Sequence, residues 1–318
     1  MNQQYLRSLG VSVPCIALGT VELGLPYGFG FDGKELQPTF HEAERLVHAA
    51  LDLGIRVIDT ARAYGDSEEI LGRTLGNRRN ELVLATKVGP VELEGRSDAE
   101  LASDISTSVE HSLHNLRTDR VDWLMLHSAT LKQIESLPRF WPTLERLREQ
   151  GKARALGASI YNESLEAGLR TPEFAYLQVA ASVLDRRVEE ARSRQSAFGK
   201  DFIIRSVLLR GVLSARYHAL PASMLPLRRA TAELDRIAAD AGISLTELAY
   251  RYAAAFDGLM LVGTANIAEL AQAIEYVERG PLPNEVVNRV RSAPFLEDRF
   301  LNPAQWQSLE ANTDGTAA

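Results

Sequence analysis

The sequence predicts an α/β protein, a (β/α)8 (TIM) barrel in a single domain with an N-terminal β-hairpin cap. Three observations carry this. Eight short apolar, β-branched runs alternate along the 318 residues with longer segments of helical periodicity. No Pro/Gly/Ser-rich linker or low-complexity tract divides them. Several of the runs also end on a polar residue after an apolar stack, as strands leading to a polar barrel mouth should. Parallel strands need a crossover between them, usually a helix, and eight such units suffice to close a barrel.

Taken in order, residues 5–13 (YLRSLGVSV) precede the first run and read as a hairpin or short cap. The strands follow at CIALGT (15–20), GIRVIDT (54–60), ELVLATKV (81–88), VDWLMLH (121–127), ARALGAS (153–159), AYLQVA (175–180), DFIIRSVLL (201–209) and LMLVG (259–263). In FHEAERLVHAALDLG (40–54), Ala43, Leu46, Val47, Ala50 and Leu51 share one helix face and Gly54 can end the helix. Further helices are expected over 97–117, 140–152 and 227–242. Residues 1–310 are assigned to the barrel and 311–318 (ANTDGTAA) to a disordered tail.

Charge and cysteine usage narrow the partners. A net charge of −7 and a pI near 5.5 disfavour nucleic acid and anionic membranes, which call for a basic face. The single cysteine, Cys15, forms no intrachain disulfide, and MNQQYLRSLG lacks the apolar core of a signal peptide. No apolar run approaches the roughly 20 residues that span a bilayer. A cytoplasmic protein acting on a small molecule is expected; the oligomeric state stays open.

Strand parity locates the chemistry. If Asp59 faces the lumen, so do Val57 and Ile55; Lys87 brings Ala85 and Val83; His127 brings Met125 and Trp123. In each stack apolar residues fill the lower barrel and one polar residue crowns it, at the end where barrel enzymes act. Tyr64 lies one turn beyond Asp59 and can lean over the same mouth. Singly, each has a bland reading: a tyrosine after a strand packs, and a buried Asp and Lys can be a structural ion pair. The set outweighs them, because Lys87, one of five lysines, interrupts LVLATKV, where an unpaired charge costs several kcal/mol, roughly. His111 and His114 have helical spacing but no carboxylate or cysteine set beside them, so no metal is expected.

The segments DTARAYGDSE (59–68), ATKVG (85–89), LMLHS (124–128), LGAS (156–159), LQVAASVLDRR (177–187), RSVLLRG (205–211) and LVGTANIAEL (261–270) together resemble the aldo-keto reductase superfamily over nearly the whole chain. The resemblance implies hydride transfer between a nicotinamide cofactor and a carbonyl or alcohol, with Asp59, Tyr64, Lys87 and His127 as the catalytic tetrad. That assignment has its own physical logic. Charge building on the carbonyl oxygen needs stabilising and protonating. A nearby ammonium makes a phenol a better acid, a carboxylate keeps that ammonium charged, and an imidazole can orient the oxygen.

The resemblance further implies that Ser159 and Gln178 hold the nicotinamide carboxamide. Ser206, Leu208 and Gly211 would wrap the pyrophosphate, with Gly19, Thr20, Arg205, Gly263, Thr264, Asn266 and Glu269 completing the cofactor site. Departures from the family pattern are Ile160 where Asn often follows the serine, with Asn162 two residues on, and Arg205 where an aromatic ring often stacks on the nicotinamide. Members that favour NADP typically carry Lys and Arg where this chain has Gly263 and Glu269, which favours NAD over NADP here.

GFGFDG (28–33) matches a dinucleotide-loop glycine pattern but lacks the strand-turn-helix context; it reads instead as an aromatic loop over the mouth, with Tyr27, Phe29 and Phe31 expected to touch substrate. Two rival classes are a barrel lyase using Lys87 as a Schiff base, which Asp59 disfavours by keeping the lysine charged, and a non-catalytic, cofactor-binding redox sensor that binds a partner protein.

Overall fold

The computed structural model describes residues 1–28, 37–189, 199–293 and 295–306. An antiparallel hairpin opens the chain: β1 (Gln3–Leu6) pairs with β2 (Val11–Pro14). Its turn is closed by Leu9 and Gly10 donating to the Leu6 carbonyl, with Gly10 at a φ of 67°. Eight strands then close a parallel barrel in the order β10-β3-β4-β5-β6-β7-β8-β9. They are β3 (Ile16–Gly19), β4 (Val57–Asp59), β5 (Val83–Val88), β6 (Val121–Ala129), β7 (Ala153–Ile160), β8 (Tyr176–Ala180), β9 (Asp201–Arg205) and β10 (Leu259–Gly263). The predicted barrel and hairpin are what the structure shows.

Helices fill the crossovers. These are α1 (Val21–Gly24) and α2 (Phe40–Asp52) after β3, α3 (Ser67–Leu75) after β4, α4 (Asp98–Asn115) after β5, and α5 (Leu131–Glu135) and α6 (Trp141–Glu149) after β6. α7 (Leu165–Arg170) follows β7, α8 (Leu225–Asp240) and α9 (Leu245–Ala253) follow β9, and α10 (Ile267–Glu278) follows β10. Three start on capping boxes: Thr39 with Glu42 for α2, Ser97 with Glu100 for α4, and Thr130 with Gln133 for α5, so orphan N–H groups of the first turn are satisfied. Among the described residues, no helix is long and apolar enough to cross a membrane.

Strand alternation sorts the core into two clusters. Val57, Val83, Ala85, Trp123 and Met125 pack inside the lumen with Ala17, Ala155, Tyr176, Ile203, Leu259 and Leu261, while Leu46, Leu84, Leu124 and Leu156 face the helices. Ile55 is a correction. It packs in the outer cluster, because the strand begins only at Val57 and alternation has no meaning before it. The seventh barrel strand is likewise shorter than expected, ending at Arg205, so Val207–Leu209 belong to the mouth. Leu6 and Val13 of the hairpin close the lumen from below. Asp201 fixes them there by accepting the backbone N–H groups of Arg7 and Ser8 at 2.9 and 2.8 Å. Sealing the base leaves the opposite mouth as the open end.

Candidate active site

Three adjacent strands carry the crown. Asp59 ends β4, Lys87 stands near the end of β5, and His127 lies on β6. Register places Asp59 beside Ala85, and Lys87 beside Met125. Lys87 Nζ donates to Asp59 Oδ2 at 2.6 Å and to the Thr60 carbonyl at 2.9 Å, and the lysine has no exposed surface. Burial alone would push this ammonium down, but the Asp59 carboxylate, aided by Tyr64, outweighs it and holds Lys87 above the ordinary lysine range. Gln178 Nε2 donates to the other carboxylate oxygen, Asp59 Oδ1, at 2.9 Å. The side chain expected to meet a carboxamide is therefore also a clamp on the ion pair.

Tyr64 stands in the turn between β4 and α3. Its ring centroid is 4.7 Å from Lys87 Nζ and 5.5 Å from the His127 ring, which meets it edge-on at 84°. The turn is held by close backbone approach: a Cβ on Gly24 would fall 1.8 Å from the Tyr64 carbonyl oxygen, and one on Gly65, at a φ of 54°, 2.2 Å from the Gly24 oxygen. Only glycine at both positions lets α1 press on this turn. Behind it lies a buried hydroxyl cluster, with Ser67 Oγ 2.7 Å from Thr20 Oγ1 and 2.9 Å from Thr60 Oγ1, while Thr20 Oγ1 donates to the Asp59 carbonyl at 2.9 Å. The Thr20 hydroxyl thus braces the strand ends.

His127 is pushed down to about 3 by burial first, and then by the positive charges of Lys87 and Arg205. At neutral pH it is an uncharged imidazole, able to donate one hydrogen bond without competing with Lys87 as a cation.

A cavity of about 490 Å3 opens above these groups. Asp59, Tyr64 and His127 form part of its lining, whereas Lys87 lies beneath the surface. Of the residues assigned to the cofactor, Gly19, Thr20, Ser159, Gln178, Arg205 and Ser206 border it, as do Leu208, Gly211, Gly263, Thr264 and Glu269. Asn266 does not border it; its Oδ1 accepts Ala268 N–H at 2.8 Å and caps α10. Tyr27 borders the cavity beneath Arg210, whose guanidinium carbon is 4.7 Å from its ring centroid. Phe29 and Phe31 lie outside the described residues.

Arg205 departs from the expected arrangement. Its guanidinium lies 4.4 Å from the centroid of the Tyr161 ring and donates to the Ile160 carbonyl at 3.1 Å and to Ser206 Oγ at 3.2 Å. Tyr161, just past β7, went unnoticed in the sequence although it is another aromatic residue immediately beyond a buried strand. Glu22, Arg216 and Tyr250 also line the cavity and were missed; Glu22 alone left a trace, as an acid within the short apolar segment VELG.

The loop after β9 suits an extended polar ligand. Ser206, Leu209 and Arg210 have φ of 64°, 47° and 55°, and Gly211 one of 90°. Three non-glycine residues in left-handed conformations within five positions store strain of the kind found at ligand-binding loops. Across the cavity, Gly263 has no side chain to narrow the wall; a Cβ there would already stand 3.8 Å from Glu22 Oε1.

A closed parallel barrel with ionisable groups gathered at the mouth is the architecture of a barrel enzyme. The aldo/keto reductase family model matches residues 16–294, and the chain belongs to that family of oxidoreductases. The uncharacterized oxidoreductase YqkF of Bacillus subtilis is 25% identical over 293 residues, covering 86% of this chain and 94% of that protein. Among solved structures, the holo form of aldo-keto reductase AKR11C1 from Bacillus halodurans superimposes with a TM-score of 0.75 at 25% identity, covering 94% of this chain and 99% of that one. The Klebsiella pneumoniae aldo-keto reductase in complex with NADPH has a TM-score of 0.69 at 22% identity, with 93% and 97% coverage, a likeness of fold alone.

Proposed function

We propose that this chain transfers hydride between a nicotinamide dinucleotide and the carbonyl or alcohol carbon of a small aldehyde, ketone or sugar. The observation that carries this is the Lys87–Asp59 pair, joined at 2.6 Å and buried directly beneath a phenol and a neutral imidazole at the floor of the cavity. Ser159 and Gln178 would hold the carboxamide of the cofactor, and Ser206, Leu208 and Gly211 its pyrophosphate. When bound, the cofactor supplies or accepts the hydride.

The chain's own groups do the rest. Tyr64 gives its phenolic proton to the carbonyl oxygen as negative charge builds there. Lys87, 4.7 Å from the ring centroid, stabilises the charge left on the phenol. Asp59 keeps Lys87 protonated, and Gln178 holds the second carboxylate oxygen so that the pair cannot rotate. His127 donates its single N–H to the substrate oxygen and sets its direction. In the reverse reaction Tyr64 takes the alcohol proton. The same geometry weighs against a Schiff-base lyase, since Lys87 is held as an ammonium.

Gly263 and Glu269 at the cofactor end favour NAD over NADP, because neither offers a cation to a 2′-phosphate. The test is consumption of NADH and NADPH with a panel of aldehydes, ketones and aldoses, and reduction of NAD and NADP with alcohols. Turnover in either direction supports the reading. Binding of dinucleotide without turnover across the panel would favour a non-catalytic cofactor-binding role.

A further inference from the structure

One acid in the cavity is left unused by the mechanism. Glu22, on α1 just past β3, borders the end of the cavity formed by Gly263, Thr264, Ala265 and Glu269. It accepts the backbone N–H of Ala265, and its Oε1 lies 3.8 Å from where a Gly263 Cβ would be. Glu269 approaches from α10, its Oε2 accepting the Thr264 hydroxyl at 2.6 Å. The other charged or titratable groups acting on Glu22 are Arg216, from the turn at Ala215–Ala219, and Tyr250 of α9, which feels both acids.

We propose that Glu22, paired with Glu269 across this end of the cavity, is a specificity-determining residue that sets which nicotinamide dinucleotide the chain binds, and that discrimination against a 2′-phosphate therefore strengthens as the pH rises. This rests on the cofactor reading above. Carboxylates accept hydrogen bonds and donate none, so the pair suits the vicinal hydroxyls of an unmodified ribose. Once ionised, a 2′-phosphate offers only acceptors and brings roughly two negative charges, which like charges repel. Glu22 is the source of the pH dependence. Burial, and then the neighbouring Glu269, raise Glu22 to about 7, against the opposing pull of Arg216 and the Ala265 N–H. Near pH 6, roughly, Glu22 mostly carries its proton; near pH 8, roughly, it is mostly ionised.

The experiment is calorimetric titration of the intact protein with NAD and with NADP at about pH 6 and about pH 8, for wild type and Glu22→Gln. The readout is the ratio of the two dissociation constants, Kd for NADP over Kd for NAD, from which effects common to both dinucleotides cancel. In wild type it should rise about tenfold with pH, the change that a 1.4 kcal/mol difference produces. In Glu22→Gln most of that rise should disappear, and at the higher pH NADP should gain about tenfold relative to NAD. The 2′-phosphate titrates over the same interval, but equally in both proteins, so the variant measures its share. Glu22→Ala, which leaves no amide in the cavity, should give the same ratios and serves if Glu22→Gln fails to fold. An equal pH slope in wild type and variants overturns the assignment while leaving the cofactor reading intact. Failure of wild type to bind either dinucleotide overturns both.

Discussion

Replacing Asp59 with asparagine removes the charge that keeps Lys87 protonated while preserving shape. Lys87 is wholly buried and would retain only uncharged partners, the Thr60 carbonyl and the Tyr64 hydroxyl. Breaking a buried pair by removing one member costs about 3–5 kcal/mol. The chain can limit the damage by releasing the lysine proton, and at pH 7 that release costs about 4.6 kcal/mol, from roughly 3.4 pH units below a free value of about 10.4 at about 1.36 kcal/mol each. The loss in Asp59→Asn should thus fall between about 3 and 4.6 kcal/mol at pH 7. Its pH dependence has a definite sign. In wild type the folded Lys87 lies above its unfolded value, so its stabilisation is complete below about 10.4 and fades as the pH rises through the folded value. In the variant the penalty shrinks over the approach to about 10.4, as the unfolded chain also loses its proton. The gap between the proteins should therefore narrow from pH 7 to about pH 10. Urea denaturation at both pH values measures it, and the double variant Asp59→Asn with Lys87→Met should recover most of the loss without recovering activity. A deficit below about 1 kcal/mol at pH 7, or one that does not change with pH, would refute this account of the pair.

Further outcomes follow from the same geometry. His127, depressed to about 3 in the folded state, binds a proton in the unfolded chain first, so stability should fall by about 1.4 kcal/mol per pH unit below about 6.5. His127→Asn should flatten that acid limb in denaturation measured from pH 7 to pH 4; an unchanged limb would show that His127 is not buried as a neutral ring. Gly24→Ala would drive a methyl into the Tyr64 carbonyl, so thermal stability should fall and kcat should fall about tenfold or more through displacement of the Tyr64 turn; wild-type kcat in a folded Gly24→Ala protein would deny that turn its positioning role. For cofactor choice, Glu269→Arg should move the kcat/KM ratio toward NADPH by about tenfold, a bidentate cation replacing a repelling charge; a ratio that stays put would remove Glu269 from cofactor selection.

The parts of this molecule that repeat were readable from the sequence, and the parts made by meeting of distant segments were not. Alternation of Val57 with Asp59, Val83 and Ala85 with Lys87, and Trp123 and Met125 with His127 is written locally, because side chains on a strand change face at every residue. It failed at Ile55, where the chain has not yet become a strand. The grip of Gln178 on Asp59 spans 119 positions and leaves no local mark. The contact of Gly24 with the Tyr64 turn is equally silent, since a glycine needed for close approach looks like one needed for a turn. The Arg205 guanidinium could be placed at the mouth but not on Tyr161, because the stacking partner comes from another strand end. Glu22 shows the same limit: its neighbours Glu269 and Ala265 belong to the far end of the chain and reach it only once β10 closes the barrel onto β3.

The central claim, that Tyr64 is the proton donor and acceptor of a hydride transfer, is tested most directly by Tyr64→Phe. This change removes one oxygen at a half-buried ring and leaves the Lys87–Asp59 pair in place. Single-turnover oxidation of bound NADH or NADPH by a substrate aldehyde, with the cofactor dissociation constant measured in parallel, separates chemistry from binding. The rate constant for the chemical step should fall by at least about 100-fold while the dissociation constant stays within about threefold of wild type. A variant that turns over at a rate comparable to wild type would contradict the assignment of Tyr64.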